Sequence, residues 1–327
     1  MSNASPLLRT ILVPLDGSPL AEEALPLALR IAYKSGSTIR LALVHEPPAI
    51  PYDSPNARLV TGAEQAVEQA ERAYLRTVEG RLREGGTQAS TVGPLMGEVG
   101  PMLAEQVLEL GIDLVVMATH GRGGVQRAWV GSVADYLIRH VDVPVLLVRP
   151  GAGSGPASVP SAATEIMVPV DGSALAEEAL EPAAELARVW DLELDLVRVL
   201  HPVMMVTEPA LPVPSSYDEE LTAACRSQAQ DYVDDLVDEL RADGHRATGE
   251  AVIGWNPIAT ILELARPDRV AAIAIATHGR GGLRRLALGS VADKLVRASA
   301  MPVLVYRPSL RRMTERRTAR EQTASAR

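Results

Sequence analysis

The sequence has one cysteine, no long apolar run and an excess of acidic residues, and each of these deficits excludes a class of protein. With Cys225 alone among 327 residues, no intramolecular disulfide can form, as expected of a reducing compartment. No apolar run approaches the ~20 residues that a bilayer span needs, and residues 1–10 lack the basic and apolar regions of a secretory signal. The net charge of −9 disfavours nucleic-acid binding, because such a surface repels a phosphate backbone. We therefore expect a cytoplasmic protein with neither a membrane nor a nucleic-acid partner.

The signatures of several enzyme classes are also missing. No Cys/His cluster has the spacing of a zinc site, and no Gly-x-Ser-x-Gly elbow of a hydrolase is present. Two glycine-rich stretches are not Walker A motifs, since no Gly-Lys-Ser/Thr closes them. They are not dinucleotide fingerprints either, because Gln126 and Arg284 stand where the last glycine belongs. The sequence thus indicates no catalytic machinery.

What the sequence does contain is one pattern written twice. ILVPLDGS at residues 11–18 returns as IMVPVDGS at 166–173, and ATHGRGG at 118–124 returns at 276–282. Because the length is also about twice that of a domain of roughly 100–200 residues, we predict two tandem domains. Their predicted bounds are 1–150 and 164–308, with a Gly/Pro/Ser-rich linker at 151–163 and a flexible Arg-rich tail at 309–327.

Within the first copy, short apolar runs alternate with stretches of helical periodicity. The runs predict strands at residues 10–15, 39–44, 89–92, 114–118 and 145–148. The periodicity predicts helices from Ser18 to Gly36 and at 63–83, 99–110 and 132–139. This alternation predicts an α/β fold with an open, doubly wound parallel sheet and helices on both faces. Ligands of such sheets bind at the carboxyl ends of the strands.

The glycine-rich loop after the fourth predicted strand has the composition of an anion site. Glycines let backbone N–H groups approach an anion closely, and a Gly-Ser pair then opens a helix whose first N–H groups lack partners. An arginine in each loop would neutralise phosphate charge or remain solvated. The serine of each pair would donate to phosphate, cap its helix or do both. The candidate residues are Gly121, Arg122, Gly124, Gly131 and Ser132, with Gly279, Arg280, Gly282, Gly289 and Ser290 in the second copy.

An aspartate follows the first strand of each copy. Asp16 and Asp171 come after the strand-ending Pro14 and Pro169, which we count as binding residues with them. Such a carboxylate accepts from a ribose hydroxyl or helps to hold a Mg²⁺ on phosphate. The alternative is an Asx turn that only closes the corner between strand and helix.

These motifs resemble those of the universal stress protein family in its tandem form, over residues 9–150 and 164–308. The nucleotide-binding branch of that family carries Gly-x2-Gly-x9-Gly-Ser/Thr. Gly121 and Gly279 match its second glycine, the Gly-Ser pairs match its end, and Asp16 and Asp171 match its strand-one aspartate. The resemblance implies a Rossmann-like, adenine nucleotide alpha hydrolase-like fold with two five-stranded sheets of strand order 3-2-1-4-5.

Two positions depart from the family pattern or differ between the copies. Ala118 and Ala276 replace the first glycine of the motif. If that position needs a positive φ, a Cβ there costs roughly 1–2 kcal/mol, whereas ordinary strand backbone accepts alanine. At the end of strand two, where the family contacts adenine, we place Glu46 and Val199, so the two sites would differ.

The resemblance also implies a function and partners. It implies ATP, or ADP or AMP, with Mg²⁺ at one site per domain, in a stress-response sensor or regulator that is not an enzyme. It further implies that the fifth strands of the two domains pair with each other within the chain. It is also compatible with a further homodimer of two chains. The alternative is a nucleotide-independent interaction protein whose glycine loops are structural.

Overall fold

A computed structural model describes residues 8–47, 57–119, 131–149, 163–205, 216–277 and 290–308. The described residues fall into two compact units, with residues 8–149 forming most of the first and 163–303 most of the second. Residues 304–306 complete the last strand of the second copy of the pattern and are described with that copy. In these ranges no helix combines the length and the apolar character that crossing a membrane requires.

The first unit is an open parallel sheet with helices between its strands. Its described elements are β1 (Thr10–Pro14), α1 (Pro19–Glu22), α2 (Leu25–Ser35), β2 (Thr38–His45), α3 (Ala57–Glu84), β3 (Ala89–Met96), α4 (Val99–Glu109), β4 (Leu114–Ala118), α5 (Ser132–His140) and β5 (Val145–Val148). The strands lie in the order β3-β2-β1-β4-β5, and every neighbouring pair is parallel. The predicted fold class and strand order are therefore confirmed.

The second unit repeats this topology. Its described elements are β6 (Glu165–Pro169), α6 (Ala174–Glu177), α7 (Leu180–Trp190), β7 (Glu193–Leu200), β8 (Met204–Met205), β9 (Ser216–Tyr217), α8 (Glu219–Ala242), β10 (Ala247–Ile253), α9 (Pro257–Leu264), β11 (Val270–Ala276), α10 (Ser290–Ala298) and β12 (Val303–Tyr306). Five of these strands lie in one sheet, in the order β10-β7-β6-β11-β12. The other two, β8 and β9, form a small antiparallel ribbon that was not predicted from the sequence.

Strands β4 and β5 are apolar throughout because both of their faces are covered. Every residue of β4 and of β5 is buried, and Ile11, Val115 and Leu146 have no exposed surface. Strands of a parallel sheet that are buried on both faces read as continuous rather than alternating apolar runs. This is why the predicted bounds of β4 and β5 agree with the structure.

The first predicted helix is two helices. Ser18 caps α1, as the sequence predicts, but the helix stops at Glu22 and a second one starts at Leu25. Pro26 lies in the first turn of α2, and a proline lacks the N–H that would continue the helix through this point. Gly36, at φ +75°, ends α2 as predicted.

Strand β3 is longer than predicted because a bulge carries it past Gly93. The pairing register between β2 and β3 shifts between Ala42 and Val44. At φ +105°, a Cβ on Gly93 would lie 2.6 Å from the backbone nitrogen of Leu95, so only glycine suits the bulge. Pro94 is tolerated beside it since β3 is an edge strand of the unit.

Candidate functional site

The two Asp-Gly-Ser turns have the same geometry. Asp16 Oδ1 accepts a hydrogen bond from the backbone N–H of Ser18 at 2.9 Å, and Asp171 Oδ1 accepts from Ser173 at 2.9 Å. Each aspartate thus closes an Asx turn, as the structural interpretation expected. Because a carboxylate has a second oxygen and about four acceptor sites, this turn is compatible with a ligand contact as well.

The aspartates do not form a metal site by themselves. The described part of the chain contains no group of three or more His, Cys, Asp or Glu side chains that is able to hold a metal ion. A Mg²⁺ at Asp16 or Asp171 would therefore need phosphate oxygens and water for most of its ligands, as is usual for this ion. Pro14 is buried and Pro169 is half-buried at the ends of β1 and β6, directly before these turns.

Gly131 brings the start of α5 against the end of β4. Its N–H donates to the carbonyl oxygen of Thr119 at 2.8 Å, and a Cβ on Gly131 would lie 2.7 Å from the same oxygen. Only glycine allows this approach. Residues 119 and 131, on either side of the glycine-rich loop, are therefore hydrogen-bonded to each other at the carboxyl end of the sheet.

Gly131 is also the N-cap of α5, which corrects one of the interpretations of Ser132. Ser132 is the first helical residue and its side chain is exposed, so it does not cap the helix. The N–H groups of residues 132–134 have no acceptor within the helix and carry its partial positive charge. The exposed hydroxyl of Ser132 lies beside them, and its contact with phosphate stays a prediction.

Much of the predicted loop chemistry lies outside the described residues. Ser290 begins α10, but its side chain is also outside the description. The predictions for the other loop residues stay predictions; these are Gly121, Arg122, Gly124, Gly279, Arg280, Gly282 and Gly289.

Ala118 and Ala276 lie in ordinary strand backbone. They are the last residues of β4 and β11, and Asp191 is the only described residue other than glycine with a positive φ. The missing first glycine of the motif therefore imposes no backbone strain.

The pairing of Glu46 with Val199 is wrong. Pro14 pairs with Ala42 and Pro169 with Val197, so Val199 is the counterpart of Val44. Both valines are half-buried within their strands, whereas Glu46 is exposed beyond the end of β2. The error arose because the apolar run of the second copy continues through Leu200, which moved the apparent strand end.

Sequence reasoning missed a tyrosine–glutamate pair that recurs in both units. Tyr74 donates its hydroxyl to Glu22 at 2.9 Å, and Tyr232 donates to Glu177 at 2.8 Å. Burial, reinforced by the carboxylate of Glu22, raises the pKa of Tyr74 above its ordinary range. The repeated Ala-Glu-Glu-Ala sequence before α2 and α7 was the available signal.

A buried His45–Glu71 pair, found in the first unit alone, was also missed. His45 Nδ1 lies 3.0 Å from Glu71 Oε2, and both residues are at least nine-tenths buried. The other ring nitrogen, Nε2, is buried with no hydrogen-bond partner among the described residues. The second unit has Leu200 in the place of His45.

Arg198 is a further difference between the units. By the same register it is the counterpart of Leu43, which is 2% exposed, yet its guanidinium lies over the ring of Tyr232, 4.8 Å from the centroid. It also lies against the Asp-Gly-Ser turn, with Nη2 3.1 Å from where a Cβ on Gly172 would be. A position-by-position comparison of the two copies would have found it.

Comparison with known proteins agrees with the topology and the motifs. The family model described as the universal stress protein family matches residues 8–149 and 163–307. A universal stress protein of Mycobacterium tuberculosis strain H37Rv is 27% identical over 322 residues, covering 91% of this chain and 94% of the relative. One of Mycobacterium bovis is similar to the same extent, at 27% over 322 residues, 91% of this chain and 94% of the relative.

A solved structure shows the same fold. The crystal structure of a universal stress protein from Archaeoglobus fulgidus superposes with a TM-score of 0.66 at 21% identity, over 92% of this chain and 98% of that one. Two consecutive matches to one family model, which together span most of the sequence, leave a single conclusion. The chain belongs to the universal stress protein family, with two family domains in tandem.

Proposed function

We propose that this protein binds an adenine nucleotide in each unit and acts in the cytoplasm as a stress-response sensor or regulator without catalysing a reaction. The observation that carries the proposal is the adjacency of β1 and β4. One strand ends in the Asp16 turn, and the other ends where Gly131 fixes the start of α5. A carboxylate that is able to accept from a hydroxyl group therefore lies at the end of one strand, and the positive end of a helix lies at the end of its neighbour. This arrangement suits a ribose and its phosphates.

The second unit supports the same proposal independently. β6 pairs with β11, and Asp171 follows β6 just as Asp16 follows β1. α10 begins at Ser290, after the second copy of the glycine-rich loop. We expect ATP, or ADP or AMP, to be the ligand, with Mg²⁺ held between the phosphates and the aspartate where the charge of the phosphates requires it.

A binding role suits these aspartates better than acid–base catalysis. One oxygen of each carboxylate already accepts a backbone N–H, which fixes the orientation of the side chain. A carboxylate held in this way orients a hydroxyl group. Bound Mg²⁺ would neutralise phosphate charge in such a complex.

Equilibrium dialysis of the full chain against ATP and Mg²⁺ tests the proposal. We expect up to two nucleotides per chain, and we expect Asp16→Ala and Asp171→Ala each to weaken binding to one site. Failure to retain ATP or ADP even at millimolar concentration would refute the proposal. Thermal unfolding of each variant provides the control for folding.

The second candidate is an interaction protein that does not bind nucleotide. The self-contained hydrogen bonds of the Asx turns favour it, because Asp16 and Asp171 already have a structural role in closing their corners. Nucleotide that stays with the protein through purification would eliminate this candidate.

A further inference from the structure

Arg198 has a cationic side chain with no hydrogen-bond acceptor among the described residues. Arg198 is half-buried, its guanidinium packs over Tyr232 and against Gly172, and no carboxylate or carbonyl oxygen in the described ranges accepts from it. Stacking on an aromatic ring fixes the plane of a guanidinium and leaves its edge of N–H donors available. A donor edge held in this way is suited to an anion.

The position of this cation in the sheet separates it from the helix start that we assign to the 5′-phosphates. Arg198 is on β7, Asp171 follows β6, and the glycine-rich loop follows β11. Since β6 lies between β7 and β11, and neighbouring strands are about 4.8 Å apart, these two strands are roughly 10 Å apart. Arg198 and the end of β11 thus lie on opposite sides of β6, the strand that Asp171 follows.

The first unit has no such cation at this position. Leu43 is buried there, and the Tyr74 ring lies beside the Arg81–Glu22 ion pair instead, with Arg81 Nη2 2.6 Å from Glu22 Oε2. The two units therefore share the carboxylate that follows the first strand but differ in the charge beside it.

We propose that Arg198 makes the second unit a site for a nucleotide with a phosphate ester on the 2′ or 3′ oxygen of its ribose. This inference rests on the proposed function, in which Asp171 contacts the ribose. In dinucleotide-binding domains an acidic residue accepts from a free ribose hydroxyl, and a nearby arginine accommodates a phosphate in its place. The guanidinium edge of Arg198 donates two parallel hydrogen bonds to that phosphate. The first unit, with Leu43, takes a ribose without one.

Isothermal titration calorimetry of the full chain tests this with three ligands: adenosine 2′,5′-bisphosphate, adenosine 3′,5′-bisphosphate and AMP, which has the 5′-phosphate but no phosphate on the 2′ or 3′ oxygen. We expect one site per chain to bind one of the bisphosphates about ten- to a hundredfold more tightly than AMP. Arg198→Leu, which copies the first unit, removes this preference and leaves the affinity for AMP unchanged. Arg246→Leu is the control, because it removes the same charge from an exposed ion pair with Asp191 at the other end of the sheet.

The outcomes separate this inference from the function on which it rests. If AMP binds and neither bisphosphate binds more tightly, or if Arg198→Leu keeps the preference, the inference is wrong and the proposed function stands. If none of the three ligands and no ATP binds, both are wrong. Should Arg198→Leu unfold, Arg198→Gln decides instead, since it keeps a planar, uncharged head group and is expected to lose the preference in the same way.

Discussion

Asp195 gives the second unit a dependence on pH that the structure lets us estimate. It lies on β7, and burial raises its pKa from 3.8 to about 7, with the nearby carboxylates of Glu165, Glu250 and Glu193 adding to the rise. Arg269 opposes the rise but also donates to Glu165 at 2.8 Å, so its charge is shared. Asp195 therefore keeps its proton in the folded chain at pH values where an unfolded chain would lose it.

The sign and size of the effect follow from this difference. Between about pH 4 and pH 7 the folded state binds more protons than the unfolded state, so the free energy of unfolding falls as pH rises. Because one pKa unit is worth about 1.4 kcal/mol, the full rise corresponds to roughly 4 kcal/mol lost by pH 8. Solvent at the exposed part of the side chain reduces this to about 2–4 kcal/mol. Asp195→Asn cannot ionise and should be more stable than the parent chain by this amount at pH 8.

Urea unfolding at pH 4, 6 and 8, followed by the fluorescence of the buried Trp190, measures the effect. The advantage of Asp195→Asn should be small at pH 4 and should grow with pH. Asp235→Asn, at an exposed position of α8, should leave the pH dependence of the parent unchanged. Parallel stability curves for Asp195→Asn and the parent would show that Asp195 ionises freely in the fold and would refute the reasoning.

Two further predictions concern the first unit. His45→Leu should destabilise it by about 1–3 kcal/mol in urea unfolding, because Glu71 is left buried without its partner, and adding Glu71→Ala should restore most of the loss; additive effects would contradict the coupling. Gly131→Ala should cost about 1–3 kcal/mol and weaken nucleotide binding, because its Cβ would collide with the carbonyl of Thr119. Gly80→Ala is the matched control, since it meets open space within α3 and should stabilise the helix by about 1 kcal/mol; equal losses from both glycine variants would rule out the collision.

The strands and their parallel arrangement could be predicted from the sequence because burial on both faces leaves a plain signal, whereas their order was implied by the family resemblance. β4 and β5 are short runs of apolar residues with turn residues around them, and the parallel order follows from their alternation with helices. The break between α1 and α2 was missed because the apolar periodicity continues across it. Pro26 indicates a break at this point. The helix is interrupted there because packing cannot replace the N–H that proline lacks.

The site could be predicted less completely, for a different reason. Asp16 and Gly131 were found because each occurs in a motif, and the structure gives both a definite contact. Arg198 belongs to no motif and stands in an otherwise apolar strand, so its relation to Gly172 depends on how β6 and β7 pair. The pairing register also shows that Val199 is the counterpart of Val44 and lies within its strand. Strand ends that are predicted from hydrophobicity can be wrong by a residue or two.

The contrast between Leu43 and Arg198 has a consequence for how such proteins diversify. An oligomer of identical chains must carry every substitution in all of its sites at once, so a change that suits a new ligand also alters the old site. A chain that contains the fold twice is free of this constraint, because one copy has a buried leucine where the other has a charged arginine. His45 on β2 and its counterpart Leu200 on β7 differ between the copies in the same way. Duplication within one chain thus allows two sites of the same fold to differ in charge, and in this protein they differ on the second strand of each copy.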